Sequence, residues 1–159
     1  MPNSRNEIQV VAGVDGCRGG WVVVVASTDG ARFTLRDVEV VPDFARLLDF
    51  TAACAAVAVD IPIGLSAREP RLADLAARRL LGRPRASSVF PTPLRGALHC
   101  AEYREACAAS VAAGGKMLSQ QAFHILPKIR EANAALSPSD QARIVESHPE
   151  LALAMINDG

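Results

Sequence analysis

The stretch VVAGVDGCRGGWVVVVAS, from Val10 to Ser27, predicts two strands joined by a tight turn. The β-branched and small residues on both sides of the turn are typical of buried strands. Three glycines lie in the connection, and we expect them to supply the positive φ angles that a hairpin turn needs. Asp15 is unusual at the end of an apolar strand, because a buried carboxylate needs a cation, a metal ion or hydrogen-bond donors. We therefore interpret Asp15 as a site residue held by a rigid hairpin.

The sequence after the hairpin predicts a third strand, a helix and a fourth strand. Residues 32–41 (RFTLRDVEVV) alternate between apolar and polar side chains, so three successive strands should form an antiparallel meander. A helix is predicted to begin at Asp43 and to cross back over the sheet. The continuous apolar run AAVAVD, residues 55–60, is typical of a central strand buried on both faces. That run also finishes in a lone aspartate, Asp60.

The second half of the chain is predicted to be mostly helical. Helices are expected over 70–81, 101–113 and 120–136, with Pro127 kinking or splitting the last one. The apolar stripe of the first helix is predicted from Leu72, Leu75, Ala76, Arg79 and Leu80. The proline-rich segment 83–94 is expected to be a mobile loop that faces the substrate. A short strand is predicted to begin at 142–145, followed directly by the segment ESHPE and then by an apolar, helix-compatible end.

Length and composition limit the classes of protein that the chain can belong to. At 159 residues it is expected to form one domain, 1–159, with a helical and loop insertion over 66–118. The 17 basic and 17 acidic residues balance, so no global field favours nucleic acid or a membrane, although a local basic groove is compatible with this balance. The sequence has no apolar run of membrane-spanning length and no signal-peptide pattern, which predicts a soluble cytoplasmic protein. Its four cysteines show no ligand-like spacing and are expected to be reduced thiols.

Four motifs together resemble a known family. They are GVDGCRGGW at 13–21, DIPIGL at 60–65, the stretch 119–133 and ESHPEL at 146–151. In this order they resemble the DUF429 family, whose members are described as predicted nucleases with a ribonuclease H-like fold. The order of predicted elements agrees with that fold, an α/β mixed sheet with an antiparallel meander and parallel strands. Members of that family continue past the HPE motif, so the last helix of the fold is expected to be missing from this chain.

The predicted chemistry is phosphodiester hydrolysis by carboxylate-bound metal ions. Two-metal hydrolysis needs carboxylates around Mg²⁺ or Mn²⁺ ions that lie about 4 Å apart. Asp15 and Asp60 meet if their strands are neighbours, and Glu146 ends the last strand, so we predict all three as catalytic and metal-binding residues. If 146–150 is extended, His148 points to the same side as Glu146 and is a further predicted metal ligand. The resemblance supports Asp15, Asp60 and Glu146 as motif positions.

The candidate residues also have simpler structural explanations. Asp15 and Asp60 are both of a type that commonly caps a turn before glycine or proline. His148 before a proline is typical of a hydrogen-bonded structural histidine, and the sequence leaves the roles of Glu131 and Glu150 open. For substrate binding we predict that Gly16, Arg18, Arg85 and Lys128 contact phosphate groups of a nucleic acid, although each cation alone is more typical of a solvated surface.

Two further functions are compatible with the sequence. The glycine-rich hairpin resembles the phosphate-binding hairpin of actin-like and sugar-kinase ATPases, in which the amides of residues 16–20 hold a nucleotide phosphate. The chain is also compatible with a non-catalytic interaction module. With a final helix missing, we expect an incomplete metal site, poor cleavage of nucleic acid by this chain alone and an exposed apolar sheet face. Such a face predicts a homodimer with the C-terminal segment in its interface.

Overall fold

The computed structural model describes residues 7–157, and that range contains a five-stranded sheet and six α-helices. The strands are β1 (Gln9–Cys17), β2 (Gly20–Thr28), β3 (Phe33–Val41), β4 (Ala56–Val59) and β5 (Ile144–Glu146). The helices are α1 (Phe44–Phe50), α2 (Leu72–Leu81), α3 (Tyr103–Ala112), α4 (Gln120–His124), α5 (Leu126–Ala135) and α6 (Pro149–Asn157). The predicted order of three strands, a helix, a fourth strand and then helices is confirmed.

The sheet has the strand order β3-β2-β1-β4-β5. β1, β2 and β3 pair antiparallel, whereas β4 pairs parallel with β1 and β5 pairs parallel with β4. This mixed α/β sheet, a meander extended by parallel strands, is consistent with the predicted ribonuclease H-like fold. Because β1, β4 and β5 run in one direction, their carboxyl ends lie at the same edge of the sheet.

One face of this sheet is buried. Alternate residues of β1, β2 and β4 point to it and are almost inaccessible to solvent: Ala12, Val14, Val23, Val57 and Val59. Helix α1 supplies the buried residues Phe44 and Leu47, and the ring of Phe44 packs edge-to-face on Trp21 at 5.0 Å. The carboxylate of Asp43 caps α1 by accepting from the Arg46 N–H at 2.8 Å, as the predicted helix start requires.

The other face of β4 is not buried, contrary to the sequence prediction. Ala56 is exposed and Ala58 is half-buried, whereas Val57 and Val59, which alternate with them along the strand, are fully buried. An apolar run with alanines at every second position fits a half-buried strand as well as a fully buried one, because alanine tolerates exposure at little free-energy cost. The prediction of burial on both faces was therefore wrong.

Helix α2 forms where predicted, but it turns a different face inward. Leu72, Leu75 and Leu80 are 83%, 47% and 67% exposed. The buried residues are Asp74, Ala77 and Leu81, which share the opposite stripe of the helix. Asp74 accepts from the guanidinium of Arg71, and Ala77 and Leu81 pack in an apolar cluster with Val89 and Ala154. Gly82 ends the helix with a φ of +58°, as expected for a C-terminal glycine.

Proline decides two helix boundaries. The helix predicted over 120–136 is split into α4 and α5 around Ile125, because Pro127 has no N–H to donate back into the preceding turn. Pro149 is the first residue of α6, a position at which the missing N–H is harmless. The strand ends at Glu146 and the helix begins three residues later, so residues 146–150 are not extended and the condition that would align His148 with Glu146 is not met. None of the helices in residues 7–157 is long and apolar enough to span a membrane.

The described chain divides into two compact units. The first comprises residues 7–61 and Ala135–Glu146 and contains the whole sheet and α1. The second comprises Pro62–Ala134 and residues 147–157 and contains α2, α3, α4, most of α5 and α6. The second unit is larger than the insertion over 66–118 that the sequence predicts.

Candidate functional site

Asp15 and Asp60 lie at equivalent positions on neighbouring strands. Val14 pairs with Val59 in the β1–β4 ladder, and the N–H of Asp60 donates to the carbonyl of Val14 at 2.9 Å. Each aspartate follows its paired valine, so both lie on the same side of the sheet. Neighbouring strands are about 4.8 Å apart, a separation at which two carboxylates can bind one cation. The structure therefore places the two residues next to each other at this edge, as predicted, and their role as metal ligands stays a prediction.

Glu146 belongs to the same edge but occupies a different row. It pairs with Val59 in the β4–β5 ladder, one residue before Asp60. Regular alternation of strand side chains places it in the row of Val14 and Val59 and not in the row of the two aspartates. Within residues 7–157 no group of three or more His, Cys, Asp or Glu side chains is arranged to hold a metal ion. Asp15 and Asp60 thus form a pair that Glu146 does not complete in this conformation.

The glycine hairpin is shaped by packing against β3. Among its glycines only Gly20 has a positive φ, +133°, so the expectation that three glycines supply such angles was wrong. A Cβ atom on Gly20 would lie 2.0 Å from the carbonyl oxygen of Val41, so only glycine fits there. Gly16 and Gly20 are both paired in the β1–β2 ladder, and the turn itself consists of Arg18 and Gly19. The hairpin itself therefore requires glycine at position 20.

The predicted phosphate contacts fall in both units. Gly16 and the exposed Arg18 lie in the β1–β2 hairpin, at the sheet edge that carries the aspartates. Arg85 is exposed in a short 3-10 turn of the second unit. Lys128 is half-buried on α5, and its ammonium lies 3.3 Å from the carboxylate of Glu131. The structure therefore places Gly16 and Arg18 at the edge of the aspartates and puts Arg85 and Lys128 in the second unit.

Hydrogen bonds from distant side chains hold the segment 83–94. The guanidinium of Arg78 donates to the carbonyl of Val89, and the N–H of Thr92 donates to Asp74 at 3.4 Å. The Nε2 atom of His148 lies 3.4 Å from the carbonyl oxygen of Ser88. These contacts give His148 a structural partner within the second unit, so its role as a metal ligand stays a prediction. The predicted mobility of the segment also stays a prediction, although several contacts anchor it.

Sequence reasoning missed the structural arginines of the second unit. Arg71 donates to the carbonyl of Ile63 at 3.1 Å, and its side chain and that of Asp74 are only 10% and 9% exposed. Arg95 donates to the carbonyl of Leu65 at 3.1 Å, and Arg130 donates to that of Leu98 at 3.2 Å. The leucines of α2 favoured an apolar helix face and gave no indication that Arg71 is buried. No local sequence pattern identifies the carbonyl groups to which these arginine side chains donate.

The cysteines are free thiols, and two of them are buried, Cys54 and Cys107. Burial raises the pKa of the Cys54 thiol, and the nearby Arg143 guanidinium opposes that shift only in part. Burial also raises the pKa of Cys100, and the carboxylate of Glu105 adds to this effect. A raised pKa keeps a thiol protonated and poorly nucleophilic. Neither thiol has the properties of a catalytic nucleophile.

The fold and the site define an α/β protein with two carboxylates side by side at the carboxyl ends of parallel strands. The chain belongs to the DUF429 family, described as "Protein of unknown function", whose model matches residues 13–159. No curated protein and no solved structure matches the chain. The family membership predicted from the four motifs is confirmed.

Proposed function

We propose that the chain is a metal-dependent nuclease in which Asp15 and Asp60 hold a Mg²⁺ or Mn²⁺ ion. The observation that supports this proposal is their equivalent position on two adjacent parallel strands. Two carboxylates at this separation repel each other, and a divalent cation between them removes that repulsion. Carboxylate oxygens are the donors that Mg²⁺ and Mn²⁺ prefer, so the two residues fit such an ion.

The remaining parts of the proposed site are Glu146 and the β1–β2 hairpin. Glu146 ends the neighbouring strand, and as a third ligand its side chain would have to turn around the end of β5 toward the aspartates. Gly16 and Arg18 would contact the substrate phosphate from the hairpin. When bound, the metal would polarise the phosphodiester and activate water. We propose a cytoplasmic location, because free thiols are usual in a reducing compartment.

Calorimetric titration with Mn²⁺ and Mg²⁺ tests the metal site directly. We expect Asp15→Asn and Asp60→Asn each to weaken Mn²⁺ binding at least about tenfold, which corresponds to about 1.4 kcal/mol. Without metal, each variant should be as stable as the wild type or slightly more stable, since one of the two like charges is gone. Glu39→Gln, which removes an exposed carboxylate from β3, is the matched control and should bind Mn²⁺ as the wild type does. Equal Mn²⁺ affinity in all four proteins would contradict the metal site.

Cleavage of labelled single- and double-stranded DNA and RNA in the presence of Mn²⁺ tests the reaction separately. Cleavage that is lost in Asp15→Asn and kept in Glu39→Gln would support the nuclease. The Glu146→Gln variant shows whether this residue takes part, by a loss of cleavage beyond any change in metal affinity. Metal binding without cleavage of any of these substrates would instead favour the non-catalytic interaction module.

A further inference from the structure

The charges of the chain are divided unequally between its two units. Within residues 7–157, and with histidine neutral, the second unit has 11 Lys and Arg residues against 6 Asp and Glu, a net charge of +5. The first unit has 5 against 10, a net charge of −5. The overall balance of charge therefore results from one basic unit and one acidic unit. Such an asymmetry indicates that the basic part of a protein binds an anionic partner.

Positive charge is concentrated in one stretch of the second unit. Residues 75–101 contain five arginines and no Asp or Glu. Two of these arginines, Arg78 and Arg95, donate to backbone carbonyls of the same unit. The remaining three are exposed and form no ion pair within residues 7–157: Arg79, Arg83 and Arg85. We call these three residues the arginine cluster.

A tight turn keeps the members of the arginine cluster close to one another. Arg79 lies in the last turn of α2, and Gly82 ends that helix. The N–H of Ala86 donates to the carbonyl of Gly82 at 2.7 Å, and this bond closes a turn around Arg83 and Arg85. The three guanidinium groups therefore belong to one helix end and to the turn that follows it directly.

The fold explains the position of only one member of the cluster. A cation in the last turn of a helix is stabilised by the helix dipole, and Arg79 has that position. Arg83 and Arg85 follow the end of the helix, and their side chains form no hydrogen bond within the described part of the chain. Burial of an unpaired guanidinium is strongly unfavourable, so these groups have to contact water or an anion. Phosphate suits them, because a guanidinium can donate two parallel hydrogen bonds to it.

We propose that the arginine cluster binds the phosphate backbone of a nucleic acid, in a site of the second unit that works without metal. The choice of a nucleic acid rests on the proposed nuclease function, since the substrates of that reaction are polyanions. Contacts to phosphates carry no sequence information, so the binding should be independent of base sequence. Each phosphate contact releases a counterion, so the binding should weaken as the salt concentration rises.

An anionic membrane is the alternative partner for such a cluster. Basic segments that lie on membranes are typically amphipathic helices with their cations along the helix. Here two of the three arginines lie in a turn that contains Pro84, beyond the end of α2. The position of the arginines therefore favours a nucleic acid. Because Leu72 and Leu80 of α2 are also exposed, anionic vesicles are included in the experiment.

Fluorescence anisotropy of a labelled single-stranded oligonucleotide, with EDTA present, tests the cluster. Three phosphate contacts predict a slope of log K against log salt of about −2, so a fourfold rise in salt should weaken wild-type binding roughly 15–20-fold. The double variant Arg83→Gln/Arg85→Gln removes two contacts, and its slope should fall to about −0.7. Its affinity at low salt should fall about tenfold or more. Two oligonucleotides of equal length and different sequence should bind the wild type equally well.

The double variant Arg32→Gln/Arg36→Gln is the matched control. It removes two exposed arginines from the first unit, so it changes the net charge by the same amount, and it should bind as the wild type does. Circular dichroism checks that both double variants are folded. Calorimetry that detects no Mn²⁺ binding, with the dependence on Arg83 and Arg85 intact, would overturn the metal site and support the cluster.

Three results would overturn the proposed arginine cluster. The first is a wild type that does not bind the oligonucleotide at low salt. The second is an equal loss of affinity in the two double variants, which would assign the binding to net charge alone. The third is binding to vesicles of equal parts phosphatidylserine and phosphatidylcholine without binding to the oligonucleotide.

Discussion

The sheet of the first unit and the loops of the second unit are held in place by different interactions. In the sheet, backbone ladders set the position of every residue, and Asp15 and Asp60 are adjacent because Val14 and Val59 pair. In the second unit, guanidinium groups hold loop carbonyls, and Arg95 and Arg130 reach partners 30 and 32 residues away in the sequence. The direction of side chains in a strand alternates with a period of two residues, so the sequence shows it. A hydrogen bond from an arginine side chain to a distant carbonyl follows no such periodicity in the sequence.

This difference determines where a sequence is informative. A lone acidic residue directly after an apolar strand is expected to lie where that strand ends, at the edge of the sheet. Two such strands that are parallel neighbours are expected to bring their two acidic residues together. A guanidinium can reach any carbonyl that the fold brings near it, so the same residue type indicates either a surface charge or an internal anchor. Arg18 and Arg71 illustrate this, because the first is exposed in a turn and the second is buried against Asp74.

The buried ion pair of the second unit should show the largest effect on stability. Asp74→Ala removes the carboxylate that faces the buried Arg71 guanidinium, and we expect it to lower the free energy of unfolding by about 3–5 kcal/mol. Urea denaturation followed by circular dichroism measures this change. The matched control is Asp49→Ala, which breaks an Arg–Asp pair of the same i,i+3 spacing in the first unit, with side chains 67% and 71% exposed. Its effect should stay below about 0.5 kcal/mol. Similar losses in both variants would mean that burial does not distinguish the two pairs.

Two leucines, one in α1 and one in α2, test which helix faces are buried. Leu47→Ala in α1 truncates a fully buried side chain and should lower the free energy of unfolding by about 2–5 kcal/mol. Leu72→Ala in α2 truncates a side chain that is 83% exposed and should change it by less than about 0.5 kcal/mol. Chemical denaturation of the two variants under identical conditions provides the comparison. A large loss in Leu72→Ala would restore the helix face that the sequence predicted.

Substitution of Asp140, in the first unit, should have a smaller effect on the free energy of unfolding, and this effect should depend on pH. Hydrogen bonds from the hydroxyl and the N–H of Ser137 hold the pKa of this carboxyl below its usual value of 3.8. Because the pKa is lower in the folded state, the carboxylate stabilises the fold above pH 3.8, and this contribution is lost as the pH falls through the lowered value. Asp140→Asn should therefore be less stable than the wild type at neutral pH, and the difference should shrink in acid.

Thermal unfolding of both proteins between neutral and strongly acidic pH measures the Asp140 contribution. Ser137→Ala is the partial control, because it removes the hydroxyl donor and leaves the backbone N–H in place. It should show a smaller change of the same sign. A stability difference between wild type and Asp140→Asn that is independent of pH would assign the effect to side-chain packing and not to charge.

The sequence by itself determined the order of the elements, the α/β class, the family and the proximity of Asp15 and Asp60. Each follows from a local signal: alternation or apolar runs for strands, Asp43 and Ser119 as helix caps, and Pro127 as a break. These signals act over a few residues, so they can be recognised without knowledge of distant partners.

Only the tertiary structure decided which faces are buried and where each side chain finds its partner. It turned Asp74, Ala77 and Leu81 of α2 inward. Ala77 and Leu81 pack there with Val89 and Ala154, and Asp74 pairs with Arg71. It assigned Glu146 and His148 to different units, because α6 begins at Pro149. Such outcomes depend on contacts between residues far apart in the chain, which no local pattern encodes.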